Sequence, residues 1–280
     1  MARENPMSLL AKLAAFLLCA YAAVLLAAYL GQRRLMYFPD PQRVPPAQAG
    51  LIGVSERILE TPDGERLVAW YGKARPGAPT LLYFHGNAGG LAVRAPRIQR
   101  FMEEGWGVFM LAYRGYAGST GRPTEAANVA DADLAYAALT REGVAPASII
   151  LYGESLGTGV AARLATERHA AGLILDAPYT SIVEVAAAAY PYLPVRYVLK
   201  DRYETASYIG KVHMPLLILH GERDRVIPVA MGRELFRLAN EPKRLATFPA
   251  AAHSDIYTDG NRALDAVRQW IGALKLSSSG

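Results

Sequence analysis

The chain has 280 residues, of which 52% are hydrophobic and 20% are charged. These values are typical of one large globular domain or two small ones. A single cysteine, Cys19, excludes an internal disulfide and the usual zinc-binding spacings. The net charge of +5 comes from scattered basic residues, which argues against nucleic-acid binding and is compatible with attraction to an anionic lipid surface.

A long apolar stretch lies near the N-terminus. Residues 13–30 read LAAFLLCAYAAVLLAAYL and carry no charge. With the preceding SLLAK, whose Lys12 can snorkel, the stretch reaches roughly the 20 residues that a bilayer core requires. We predict an uncleaved single-pass transmembrane anchor over residues 8–31.

Two alternatives to the anchor stay open: a signal peptide that is cleaved to release a secreted protein, and a buried helix of a soluble domain. The stretch exceeds the about 7–15 apolar residues of a signal peptide, and no small-x-small cleavage site follows it. Cys19 follows Leu18 rather than a small residue, which disfavours a lipoprotein cleavage box. Membrane orientation stays open because basic residues flank both ends: Arg3 and Lys12 before, and Arg33, Arg34 and Arg43 after.

Strand-like and helix-like segments alternate behind the anchor. Residues 32–65 are predicted to hold a connector, rich in proline and aromatic residues at 36–50, and a first strand region. A folded domain is predicted over residues 66–276, with a small excursion at 178–214 whose aromatic side chains either form a hydrophobic pocket or pack on the sheet. Its predicted strands begin at Arg66, Thr80, Gly107, Ser148, Gly172, Pro215 and, more weakly, Arg244, and its clearest helices cover 91–104, 128–142 and 263–274.

This alternation predicts an α/β fold with a mostly parallel central sheet and helices on both faces. Ligand chemistry in such folds lies beyond the carboxyl ends of the strands. A serine, an acid and a histidine follow three of the predicted strands in the order Ser155, Asp224 and His253. We therefore expect these three side chains to meet at one edge of the sheet.

The three residue types form a chemically coherent set. A serine hydroxyl needs a neighbouring base to act as a nucleophile, an imidazole has a suitable pKa, and a carboxylate orients the imidazole. Backbone N–H groups must then stabilise the developing oxyanion. In a G-x-S-x-G turn the residue after the serine, here Leu156, supplies one N–H, and the HGNAGG loop suggests Asn87 for the second.

Each of these assignments has a simpler alternative. Ser155 can be a small residue in a strand-to-helix turn, Asp224 a turn or capping acid, and His253 a surface histidine. Asp176, at the end of the preceding strand, is a rival for the acid.

Seven motifs appear in order between residues 37 and 257. They read YFP (37–39), FHGNAG (84–89), YRGYAGSTG (113–121), GESLGTGVA (153–161), APYTS (177–181), LHGERDRVIP (219–228) and HSD (253–255). In this series the chain resembles the α/β-hydrolases, and within them the Bem46-like serine hydrolases and the α/β-hydrolase domain-containing types 13 and 17, whose domains are also described as serine aminopeptidases. Ala112 and the GYAGS sequence depart from the common pattern in positions that affect loop detail and substrate preference.

Further residues near the predicted site allow two interpretations. His85 is predicted to shape the oxyanion loop, and His220 to pack behind the site. Glu154 either tunes the neighbourhood of the serine or only fills the turn. Tyr116 and Ser119 are predicted to order a loop at the rim, with direct substrate contact as the alternative.

The predicted function is a membrane-anchored serine hydrolase that cleaves ester, thioester or amide bonds through an acyl-enzyme. Ester or thioester hydrolysis is favoured over peptidase-like activity, no metal or organic cofactor is expected, and the expected partners are a lipid-like or small acyl substrate and the membrane. The resemblance suggests a thioester or lipid-like ester. The alternative is a catalytically silent membrane protein of this fold that binds a lipid or protein partner.

Overall fold

One twisted sheet organises the molecule. The structure, a computed structural model, describes residues 9–258 and 262–274. Within these ranges eight strands form the sheet in the order β1-β2-β4-β3-β5-β6-β7-β8. The strands are β1 Val54–Glu60, β2 Arg66–Gly72, β3 Thr80–Phe84, β4 Gly107–Leu111, β5 Ile149–Glu154, β6 Gly172–Asp176, β7 Leu216–Gly221 and β8 Lys243–Phe248. The β1–β2 and β2–β4 pairs are antiparallel, and every later pair is parallel.

The hydrophobic pattern explains which strands lie inside the sheet. Every residue of β3, β4, β6 and β7 is buried, as their uninterrupted apolar sequences require when helices cover both faces. The edge strands β1 and β8 are mostly half-buried and carry charged residues. The predicted fold class and the predicted strands are therefore confirmed, including the weak last one.

Helices connect the parallel strands and pack on the sheet. They are α2 Ala95–Glu103, α3 Glu125–Arg141, α4 Leu156–Ala165, α8 Val229–Leu238 and α9 Arg262–Ala273. Two of these helices begin at residues other than those predicted from the sequence. A short 3-10 turn precedes α2, and α3 begins three residues early because the Thr124 side chain caps it by accepting from the Ala127 N–H at 3.0 Å. The amphipathic helix α8 was absent from the sequence prediction.

The N-terminal helix α1 covers Leu9–Met36, five residues past the predicted anchor end. Residue 8, the predicted first residue of the anchor, lies outside the described residues, as do residues 275–276 at the predicted end of the domain. α1 is long and apolar enough to cross a membrane, and a signal sequence has the same properties. At 1.5 Å per residue its length is about 42 Å, more than the about 30 Å of a bilayer core.

Residues 178–214 fold into a small cap between β6 and β7. The cap holds three short helices, α5 Ile182–Ala189, α6 Val195–Val198 and α7 Thr205–Ile209. The connector after α1 is largely irregular, as predicted, and forms a parallel bridge from Phe38 to Ala88 in the loop after β3. The cap and the connector thus lie at the carboxyl edge of the parallel strands.

Candidate active site

Ser155 occupies a sharp turn between β5 and α4. Its backbone has φ 50° and ψ −116°, a conformation that costs energy for any residue other than glycine. A side chain at Gly153 would come within 2.5 Å of the Gly157 carbonyl oxygen, and a side chain at Gly157 would overlap the Phe84 carbonyl group. Both glycines are therefore needed for the turn that presents Ser155.

The structure brings the three predicted side chains together. His253 Nε2 lies 3.0 Å from Ser155 Oγ, and His253 Nδ1 lies 2.7 Å from Asp224 Oδ2. Asp224 follows β7, and its Oδ1 accepts from the N–H groups of Val226 and Ile227, both at 2.8 Å. The hydrogen-bonded chain thus runs continuously from hydroxyl to imidazole to a carboxylate held by its own loop.

Electrostatics keep this carboxylate charged. Burial disfavours the charged form of Asp224, but the His220 ring close behind it and hydrogen bonds from His253 and the Ile227 N–H outweigh burial and lower the pKa of the carboxyl. Burial also opposes protonation of His253, whereas the hydrogen bond to Asp224 and the charge of Asp224 favour it. The net effect is a pKa of His253 above its usual value. The imidazole is therefore a stronger base than a free histidine.

The rival acid Asp176 lies in a different network. Its Oδ2 accepts from the Tyr152 hydroxyl at 2.9 Å and from Arg97 at 3.1 Å. Burial raises the pKa of Asp176. Asp224, and not Asp176, is the acid that hydrogen-bonds to the His253 ring.

Glu154, next to Ser155, is part of an ion-pair cluster that the sequence analysis missed. Arg94 pairs with Glu154 at 2.9 Å and Arg97 pairs with it at 3.3 Å. Burial disfavours the charged form of Glu154, but the two guanidinium groups outweigh burial and lower its pKa. Arg94 also donates to the Ala88 and Gly90 carbonyls of the loop after β3. Glu154 therefore does more than fill the turn, since it ties the turn to that loop through Arg94.

The two predicted oxyanion donors are the N–H groups of Asn87, in the loop after β3, and of Leu156, the residue after Ser155. Both residues line the same cavity as Ser155. In the described part of the chain neither N–H donates to another group. The Asn87 carbonyl accepts from the Phe38 N–H at 2.9 Å and from the Tyr116 hydroxyl at 2.7 Å. These bonds hold the peptide unit that follows Asn87, and so restrain the backbone of this residue, while its N–H makes no bond within the part of the protein that the structure describes.

Two buried histidines support the loops, as predicted. His85 Nδ1 lies 2.7 Å from the Gly86 carbonyl, and its Nε2 accepts from the Tyr113 N–H at 3.3 Å. Burial lowers the pKa of His85 to about 3, so this ring is neutral. His220 Nε2 lies 2.8 Å from the Ile227 carbonyl and 3.6 Å from Asp224, which places the ring behind the carboxylate.

Two cavities meet at Ser155. The first, of about 200 Å³, is lined almost entirely by apolar side chains of α1, the cap and the loop after β7. The second, of about 380 Å³, has a more polar lining that includes Arg100, His253 and the ion pairs of Arg94 and Arg97 with Glu154. The hydroxyl thus stands between an apolar compartment and a polar one.

Together, the mostly parallel sheet and the serine in a strained strand-to-helix turn define a protein of the α/β-hydrolase class. The chain matches the family model described as serine aminopeptidase, S33, over residues 77–205. Human α/β hydrolase domain-containing protein 17B is 33% identical over 217 residues, which cover 76% of this chain and 74% of that protein. An uncharacterized protein of Mycobacterium tuberculosis is 40% identical over 86% of this chain and 87% of its own length.

Solved structures agree on the fold. Esterase Pf2001 of Pyrococcus furiosus matches with a TM-score of 0.69 and 20% identity, over 84% of this chain and 99% of that one. The chain belongs to the α/β-hydrolase family. Hydrolase is accordingly the class of enzyme that the comparisons support.

Proposed function

We propose that this protein is a membrane-anchored serine hydrolase that cleaves ester or thioester bonds, and amide bonds less readily, through an acyl-enzyme. The observation that carries the proposal is the chain of hydrogen bonds from Ser155 Oγ to His253 Nε2 at 3.0 Å and from His253 Nδ1 to Asp224 at 2.7 Å. A hydroxyl, an imidazole and a carboxylate in this order form the constellation that activates a serine.

In the first half of the reaction Ser155 Oγ attacks the acyl carbon while its proton passes to His253 Nε2. Asp224 stabilises the imidazolium that forms. The N–H groups of Asn87 and Leu156 hold the oxyanion of the tetrahedral intermediate. His253 then returns the proton to the leaving oxygen, sulfur or nitrogen, and the bond to the leaving group breaks.

In the second half water replaces the leaving group. His253, now neutral, takes a proton from the water as the water oxygen attacks the acyl carbon of the ester formed on Ser155. The same two N–H groups hold the second oxyanion. Collapse of this intermediate releases the carboxylic acid and returns the proton to Ser155.

The two cavities suggest how a substrate lies in the site. The apolar cavity suits the acyl chain because its lining offers few polar partners. The more polar cavity, lined by Arg100, His253 and the ion pairs at Glu154, suits a polar leaving group. An apolar acyl chain on a polar carrier is the substrate class that fits both compartments.

Substitution of the nucleophile tests the proposal. Ser155→Ala should abolish hydrolysis of p-nitrophenyl esters and labelling by a fluorophosphonate, because only an activated serine reacts with either. Ser207→Ala, which removes an exposed hydroxyl in α7, should leave both unchanged. Labelling that persists in Ser155→Ala would refute the assignment, and a folded wild-type protein that neither labels nor cleaves any ester or amide would favour the binding-only alternative.

A further inference from the structure

The apolar cavity at Ser155 has an unusual wall. Helix α1 contributes residues at helical spacing, so that one face of the helix lines the cavity; they are Leu25, Ala28, Gln32, Leu35 and Met36. At 1.5 Å per residue this face extends about 16 Å along the axis. The cap supplies the opposite wall, chiefly from α5 and α6. Without α1 the cavity would lack one side.

Polar contacts hold this end of α1 against the cap. Gln32 is buried, its Oε1 accepts from the Lys200 N–H at 2.7 Å, and its Nε2 donates to the Val198 carbonyl at 3.3 Å. Arg33 forms a bidentate ion pair with buried Asp201 at 2.9 and 3.1 Å. The last turns of α1 are thus docked by directional bonds in addition to apolar contact.

The cavity reaches into the apolar part of α1. Leu25 and Ala28 lie within the uncharged run of residues 13–30, the part of the helix suited to the bilayer core. Closer to the N-terminus of the same helix, the Tyr21 hydroxyl donates to the Tyr192 carbonyl of the cap at 2.8 Å. The cap therefore extends along α1 to the level of the membrane segment.

The cap also carries exposed aromatic side chains. Tyr192 and Tyr197 are 86% and 88% exposed, and Tyr190 is 46% exposed. Tyrosines are enriched where a protein crosses the boundary between lipid and water. Three exposed tyrosines on the cap, one of which accepts a hydrogen bond from this membrane-length helix, are the side chains that a lipid-facing cap would present.

We propose that the acyl chain of the substrate comes directly from the lipid bilayer, passes between α1 and the cap, and lies along the α1 face from Leu25 to Met36 with its carbonyl at Ser155. The proposal rests on the proposed function and specifies its substrate class, a long-chain acyl ester or thioester whose chain resides in the membrane. An acyl chain that moves from lipid into this cavity stays in mostly apolar surroundings, so little of its surface has to be exposed to water.

A matched pair of substitutions tests the role of α1. Ala28→Trp fills the cavity from the α1 side, whereas Ala23→Trp adds the same side chain to an exposed position on the opposite face. Full-length protein in phosphatidylcholine vesicles is assayed with p-nitrophenyl palmitate and p-nitrophenyl butyrate. Ala28→Trp should lower the palmitate-to-butyrate ratio of kcat/KM by roughly tenfold or more, and Ala23→Trp should preserve the wild-type ratio.

The other outcomes have separate meanings. Fluorophosphonate labelling of Ser155 shows that each variant retains a folded site, and Ala28→Leu replaces Ala28→Trp if the larger side chain prevents labelling. A wild-type ratio in a labelled Ala28 variant would overturn the proposal while leaving the serine hydrolase intact. A wild-type protein that hydrolyses neither ester would instead refute the proposed function. As a second measurement, diluting palmitate ester with phosphatidylcholine at constant bulk concentration should reduce the rate, and a constant rate would contradict delivery from the bilayer.

Discussion

Asp224 follows β7 and Asp176 ends the neighbouring strand β6, so both were candidates for the acid beside His253. The difference between them lies in their partners. One carboxylate oxygen of Asp224 accepts from two backbone N–H groups, and the other is hydrogen-bonded to His253. Asp176 is committed to Tyr152 and Arg97. The geometry favours Asp224, and the catalytic role of each side chain stays a prediction.

Paired amide substitutions distinguish the two acids. Asp224→Asn should lower kcat by about 10⁴, because an amide cannot hold the required tautomer or stabilise the imidazolium. Asp176→Asn should lower the kcat of the folded protein far less than Asp224→Asn does, although it weakens the ion pair with Arg97. Steady-state kinetics on a short p-nitrophenyl ester, with circular dichroism to measure the folded fraction, check this. Equal losses of kcat in both variants would contradict the assignment.

The pH dependence follows from the raised pKa of His253. The base must be neutral to accept the serine proton, so kcat/KM should fall as the pH drops through the pKa of His253. Because Asp224 raises that pKa, the midpoint of the acid limb should lie above the ordinary value of about 6.5. In Asp224→Asn the midpoint of the residual activity should move to lower pH. A wild-type midpoint below the ordinary value would speak against the Asp224–His253 interaction.

At the level of elements, the connector after α1 positions the loop after β3. Phe38 and Ala88 form a parallel bridge, and the Asn87 side chain donates to the Met36 carbonyl at 2.9 Å. Tyr116 holds the Asn87 carbonyl from the β4–α3 loop. Motifs that are distant in sequence, YFP, HGNAG and RGY, thus converge on one residue, Asn87.

Removal of one hydroxyl tests this clamp. Tyr116→Phe should lower kcat several-fold with little change in KM, because an Asn87 N–H that is less firmly held stabilises the oxyanion less well. Tyr136→Phe is the matched control, since its hydroxyl donates to the His169 carbonyl away from the site. A similar kcat in both variants, or an effect confined to KM, would argue against positioning by Tyr116.

For the whole molecule, α1 is a membrane-length helix whose last turns are built into the catalytic domain. Arg33 pairs with buried Asp201, which also accepts from the Tyr37 hydroxyl at 3.2 Å. Tyr37 in turn contacts Tyr203, and Tyr203 accepts from Asn128 of α3 at 2.9 Å. This network links α1, the cap and the sheet-covering helices.

Loss of the Arg33 pair should therefore destabilise the protein. Arg33→Ala leaves the buried Asp201 carboxylate with fewer partners and should lower the free energy of unfolding by about 1–2 kcal/mol. This loss is smaller than that expected for a fully buried ion pair because Arg33 is half-exposed. The neighbouring, exposed Arg34→Ala should change it by less than about 0.5 kcal/mol. Thermal unfolding in detergent measures both. Equal melting temperatures for the two variants would show that the ion pair does not anchor α1.

The sequence by itself determined the fold class, the strand order along the chain, and the serine, histidine and two candidate acids that lie at the carboxyl ends of the strands. These follow from local rules: apolar runs become buried strands, and the carboxyl ends of parallel strands converge on one edge. Only the tertiary structure decided that Asp224 rather than Asp176 faces His253, that Arg94 and Arg97 pair with Glu154, and that α1 walls the apolar cavity. Such contacts join residues separated by tens to hundreds of positions. They depend on the packing directions of whole elements, which no local pattern in the sequence encodes.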